Sequence, residues 1–183
     1  MAEDTQTESF LEPQRIVRYF GLQEGDHVAD FGAGHGYFTI PMAKAVGGNG
    51  KVYAIDVQKS VLDIVRSRAK LEHLLNVEPL WADLDRAQGS KLKENFLEFV
   101  LMANVLFQSE SRARLFEEAF RILRQGGRLA VVEWDQSPAP MGPPINLRVK
   151  KETVRSLAED SGFEFSKEFE AGSHHYGLFF TKK

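Results

Sequence analysis

Val28-Ala-Asp-Phe-Gly-Ala-Gly-His-Gly-Tyr-Phe-Thr-Ile40 is the stretch from which the rest of this 183-residue chain can be read. It begins as a buried strand, apolar at Val28, Ala29 and Phe31. It then breaks into Gly32-Ala33-Gly34-His35-Gly36 and resumes as a helical pattern, with Phe38, Met42, Ala45 and Val46 at three- and four-residue steps. Strand, glycine turn and helix in that order make a nucleotide-binding crossover. The glycines let the backbone turn sharply and approach a ligand without a Cβ in the way. The helix start behind them offers unpaired N–H groups.

The spacing narrows the ligand. A dinucleotide fold places its third glycine three residues after the second. Here Gly36 follows Gly34 by two, and Asp30 stands on the strand just ahead of the turn. A carboxylate there repels a pyrophosphate and suits a cationic group.

Working outward, Leu11, Ile16, Val17 and Phe20 predict a short amphipathic helix, with Pro13 near its start and Gly21 at its end. Downstream, Lys51–Asp56 is a second strand, and Ser60 is expected to cap a helix with Val61, Ile64, Val65, Ala69 and Leu75 inward. Val77–Ala82 is a third strand, and Asp85–Asn95 is a polar loop or poor helix. Leu97–Ala103 is apolar almost throughout, as a central parallel strand is. A helix from Ser109 ends at Gln125-Gly126-Gly127 and leads to a strand over Arg128–Trp134. Ser137–Pro144, with four prolines, is irregular. A last helix spans Lys150–Ser161, and Phe163–Phe169 and Tyr176–Thr181 alternate as strands. Their connection is too short for a parallel crossover, so the two are antiparallel neighbours. Repeated β-α units imply a doubly wound, Rossmann-like α/β fold: a seven-stranded, mostly parallel sheet with a terminal antiparallel strand and helices on both faces.

With these elements in place, Asp30-Phe-Gly-Ala-Gly-His-Gly36 resembles the first motif of class I S-adenosylmethionine-dependent methyltransferases. Glu118-Ala-Phe-Arg-Ile-Leu-Arg-Gln-Gly-Gly-Arg-Leu129 resembles the E-x-x-R-v-L-k-P-G-G-r-l motif that closes their core, with Gln125 in place of proline. The similarity covers about residues 22–182 and is to small enzymes of the ubiquinone/menaquinone-biosynthesis type. It implies S-adenosylmethionine as cofactor and methyl transfer to a small-molecule acceptor. It also implies a set of cofactor residues. Asp30, Gly32, Ala33, Gly34, Gly36 and Tyr37 would hold the methionine part, with Asn104 at its ammonium. Asp56 would meet the ribose, with Val57 beside it in the cofactor set, and Ala82, Asp83 and Leu84 the adenine. Asp83 also suits a cap for the polar segment behind it. Asp56 is expected at a strand tip with no packing role. The resemblance demands no catalytic base; His35, inside the turn, is a candidate. Gln108 stands where many relatives carry histidine and cannot act as a base. His174 and His175 read as hairpin residues. The alternatives are a non-catalytic S-adenosylmethionine-binding module and, third, an NAD(P)-dependent dehydrogenase, against which the glycine spacing counts.

Composition agrees with an ordinary globular domain, 43% hydrophobic and 27% charged. A net charge of -3 with no basic block argues against electrostatic capture of nucleic acid. No apolar run is long enough to span a bilayer. The absence of cysteine excludes disulfides, thiolate nucleophiles and cysteine metal sites, and no metal is expected. The expectation is a cytoplasmic protein with residues 1–9 a disordered tail and 10–183 a single domain.

Overall fold

The computed structural model describes residues 11–183, so the expected tail over residues 1–9 lies outside the described residues. The elements are α1 (Pro13–Tyr19), β1 (His27–Phe31), α2 (Thr39–Val46), β2 (Lys51–Asp56), α3 (Lys59–Leu71), β3 (Val77–Trp81), β4 (Leu97–Ala103), α4 (Arg112–Ile122), β5 (Leu123–Trp134), α5 (Lys151–Asp160), β6 (Phe163–Glu170) and β7 (His175–Lys182). A short 3-10 turn, Ile145–Leu147, precedes α5. The seven strands form one sheet in the order β3-β2-β1-β4-β5-β7-β6. β7 runs antiparallel to both its neighbours, and the other pairings are parallel.

The chain winds outward from β1 to β3, then returns to lay β4 on the other side of β1. The strand order therefore reverses between β1 and β4, where the carboxyl ends of two adjacent strands diverge and leave a crevice. The two-residue period of a strand sorts the core. Val28, Phe99, Leu101, Ala130 and Val132 face α1 and α2, where Val17, Phe20, Phe38, Met42 and Val46 cover them. Ala29, Phe31, Val100, Met102, Leu129 and Val131 face the other way, under Leu115, Phe116 and Ala119 of α4 and Val154 and Ala158 of α5. The phenylalanines do ordinary core work. Phe20 lies 4.9 Å from Phe99 and meets Phe169 and Phe179 edge-on.

Several local expectations shift. No helix crosses from β3 to β4, so one of the expected β-α units is a loop, held by turns. α3 starts one residue before Ser60, and its buried stripe is Leu62, Val65 and Ala69. Ile64 and Leu75 are exposed, as is Ala45 on α2. α4 ends at Ile122. Gly126 and Gly127 instead lie in an irregular stretch within β5, between the Leu97–Leu123 and Phe99–Arg128 pairs, and Gly126 has φ +73°. Among the described residues no helix is long and apolar enough to cross a membrane.

Candidate functional site

At the reversal point two cavities meet. One, of about 330 Å³, runs from Gly32 and Gly34 past Asp56, Val57 and Val61 to Ala82, Asp83, Leu84 and Asp85. The other, of about 410 Å³, runs from the same glycines past Asp30, Ala33 and Tyr37 to Ala103 and Asn104, with Leu11 and Pro13 of the α1 segment at its rim. His35 and Gln108 line both. The result is one bent groove over the carboxyl ends of β1, β2, β3 and β4.

The turn that bends it runs through left-handed backbone at Gly32, Gly34 and Gly36. Gly32 has φ +72°, and a Cβ there would sit 2.6 Å from Val105 Cγ2. Gly34 has φ +49° with nothing within 4 Å of its Cβ position, so that space belongs to the groove. Gly36, expected at the cofactor, lines neither cavity; its Cβ position lies 3.2 Å from Val65, so it serves helix packing.

Asp30 is 2% exposed. Burial pushes its carboxyl up to about 6, opposed by the Thr39 hydroxyl that donates to it at 2.6 Å and aided by the nearby Asp56 charge. Asp56 corrects an expectation. Its Oδ2 accepts the Gly34 N–H at 3.0 Å and its Oδ1 the Gln58 N–H at 2.9 Å, so it ties the glycine turn to the start of α3. Each oxygen keeps a second lone pair for a ligand. Asp83 accepts from the Asp85 N–H at 3.1 Å and the Arg86 Nε at 2.8 Å, which makes the loop-capping role real, and it still lines the groove.

Two other residues of the site, Arg68 and Asp85, left no mark in the sequence. Arg68 of α3 donates to the His35 carbonyl at 2.8 Å and lies over the Tyr37 ring, which is 60% exposed at the rim. Asp85 accepts from the Ser109 hydroxyl and from the Glu110 and Ser111 N–H groups, binding the β3–β4 loop to the start of α4. Glu118 and Arg121 of the closing motif form a largely buried ion pair. Glu118 accepts both the N–H and hydroxyl of Ser90, and Arg121 donates to the Leu92 carbonyl. The motif thus clamps the loop that replaces the missing crossover helix.

The donor set indicates what fits. Asp30, Asp56, Asp83 and Asp85 line the groove, and no lysine or arginine does among the described residues. Asn104, held at φ +54°, has its Oδ1 buried without a partner. Asp83 is already met by Arg86, but Asp30, Asp56, Asp85 and an orphan amide oxygen call for hydrogen-bond donors and positive charge. An ammonium and a sulfonium meet that requirement; a pyrophosphate does not.

Comparison with known proteins follows the same line. The family model described as "Methyltransferase domain" matches residues 28–127. The chain is 28% identical over 129 residues to the ubiquinone/menaquinone biosynthesis C-methyltransferase UbiE of Hydrogenovibrio crunogenus, covering 70% of this chain and 50% of that one. It therefore spans about half the length of the curated relatives it matches. Among solved structures, a SAM dependent methyltransferase from Aquifex aeolicus superposes with a TM-score of 0.86 at 28% identity, covering 94% of this chain and 90% of that one. The [4+2]-cyclase SpnF shares the fold at a TM-score of 0.77 and 16% identity, covering 92% of this chain and 80% of that one. The fold alone therefore does not set the reaction.

Proposed function

The chain belongs to the methyltransferase-domain family, and we propose that it moves a methyl group from S-adenosylmethionine to a small-molecule acceptor by in-line displacement. S-adenosylmethionine is the cofactor that this family and its solved neighbours imply. When bound, it supplies a methyl group on a sulfonium, activated without help from the protein.

The observation that carries the reading is the groove's charge: four aspartates and, among the described residues, no lysine or arginine, at the point where the strand order reverses. In this reading Asp30, Asn104 and the Ala103 carbonyl take the ammonium, and Asp56 takes the ribose hydroxyls with the lone pairs left free by Gly34 and Gln58. Ala82, Asp83 and Leu84 flank the adenine. Tyr37 stands at the rim, and Leu11 and Pro13 form an apolar wall on the side open to an acceptor. The protein's share of catalysis is to hold the acceptor in line and exclude water, an effect worth up to ~7–11 kcal/mol. The exposed His35 ring and the neutral Gln108 amide are the side chains common to both cavities. His35 is the candidate base where an acceptor must lose a proton.

The UbiE relative's role in ubiquinone/menaquinone biosynthesis supports a small organic acceptor. Residues 10–183 are read as a single methyltransferase domain. The test is incubation with methyl-labelled S-adenosylmethionine and fractionated cell extract. Label should enter the small-molecule fraction, with weak dependence on salt. Label confined to RNA or protein would overturn the acceptor class.

A further inference from the structure

Glu133, the penultimate residue of β5, is fully buried, yet it lies outside both cavities. Its Oε1 accepts the Leu106 N–H at 2.7 Å, and its Oε2 is buried with no partner. The Val105 and Trp134 N–H groups also favour its charged form. The Leu106 carbonyl is held from the other side by Arg112 Nε at 2.9 Å. One peptide segment is therefore gripped at both its donor and its acceptor. That segment follows β4 and walls the groove. Asn104 enters it in a left-handed conformation, Val105 fills the space that only a glycine at 32 leaves open, and Gln108 folds back to donate to the Asn104 carbonyl at 2.9 Å.

We propose that Glu133 is a positioning residue for cofactor binding: through the Leu106 N–H it sets the turn against Gly32, and its ionised form holds that turn more tightly than its neutral form. The inference rests on reading the groove as the cofactor site. A carboxylate is the stronger acceptor for a backbone N–H, and its bonds shorten and strengthen with charge. Burial raises the Glu133 carboxyl to about 7, so both forms are populated near neutrality. The charged groups that face it are few. Arg112 from α4 favours the carboxylate. Tyr176 from β7 faces it with its hydroxyl donated to the Val149 carbonyl, and the Glu152 charge of α5 lies beyond Tyr176.

The experiment is calorimetric titration of S-adenosylhomocysteine into the wild type, Glu133→Gln and Arg112→Gln from pH 6 to 8.5, with thermal melts at each pH. The ratio of wild-type to Glu133→Gln affinity cancels the lower-pH contribution of Asp30, which both proteins keep. That ratio should rise about threefold to tenfold across the range, because the amide of the glutamine variant still accepts from Leu106 but cannot ionise. Arg112→Gln should keep the step and move its midpoint to higher pH. A constant ratio overturns the proposal. Should Glu133→Gln fail to fold, an unmoved midpoint in Arg112→Gln overturns it instead. Binding of no ligand by the wild type at any pH overturns the groove reading itself, and the proposal with it.

Discussion

Replacing Asp56 separates the two things this carboxylate does. In the apo protein it accepts one backbone N–H on each oxygen, from Gly34 and from Gln58. Hydrogen bonds to a charged group contribute about 1.5–3 kcal/mol each when well shielded. Asp56 is only half-buried, so water replaces part of what is lost, and Asp56→Ala should cost about 1–3 kcal/mol. In a chain of this size that lowers Tm by roughly 2–4 °C per kcal/mol. With cofactor, the same change removes the acceptor for the ribose hydroxyls and loosens the glycine turn. Affinity should fall at least ten- to a hundredfold, at about 1.4 kcal/mol per decade. Asp56→Asn is not the gentle variant that a free strand-tip carboxylate would permit. Its amide presents one oxygen and one NH2, and the NH2 must face the N–H of either Gly34 or Gln58. The asparagine variant should therefore lose nearly as much as the alanine variant in both measurements. The assay is calorimetric titration with S-adenosylhomocysteine beside thermal melts of the apo variants. Wild-type affinity in Asp56→Ala would refute the ribose assignment. An Asp56→Asn variant with wild-type Tm would refute the turn-tying role.

Gly34→Val should abolish cofactor binding, because the space at its Cβ position is groove and a β-branched residue resists φ +49°; a titration that still shows tight binding counts against this loop. Glu118→Ala leaves the buried Ser90 N–H without its acceptor and the half-buried Arg121 without its counter-ion, a loss of about 3–5 kcal/mol that a thermal melt should show as a drop of roughly 6–20 °C; an unchanged Tm rejects the clamp. Asp30 and Glu133 are raised in the fold to about 6 and about 7, so the folded state holds protons that the unfolded chain gives up. Their contribution is fully present below about pH 4 and is lost as pH rises through those values, by on the order of 3 kcal/mol each. Denaturant titrations of Glu133→Gln against wild type should show the variant gaining relative stability from pH 4.5 to 7; a constant difference contradicts the raised Glu133. A cationic ligand beside Asp30 favours its ionised form, so S-adenosylhomocysteine affinity should rise with pH through about 6, and a flat profile there, read by the same calorimetry, argues against that contact.

What the sequence made legible is local chemistry repeated at strand ends. Asp30 before the glycines, Asp56 and Asp83 after two apolar runs, and Asn104 after a third are each read from a few neighbouring residues. The sheet then brings them together, because parallel strands carry their carboxyl ends to one edge. The contacts that stiffen the groove leave no such trace. Arg68 reaches His35 across 33 positions, Asp85 reaches Ser109 across 24, and Glu133 reaches Leu106 across 27. Lys182 closes the carbonyls of Phe120 and Leu123 at the end of α4 from the other end of the chain. None shares a period or a turn signal with its partner. The missing β3–β4 helix was half visible in the polar run 85–95. Its replacement by a clamped loop depends on the Glu118–Arg121 pair, which the family motif marks but whose target, Ser90, only the fold reveals.

The measurement closest to the central claim sets two ligands against each other in this groove. S-adenosylhomocysteine and NADH are titrated into the wild-type protein, separately and in competition. The four-aspartate lining predicts one-to-one binding of S-adenosylhomocysteine, no heat from NADH beyond dilution, and no displacement of the first by the second. Binding of NADH with displacement of S-adenosylhomocysteine, or binding of neither, would contradict it.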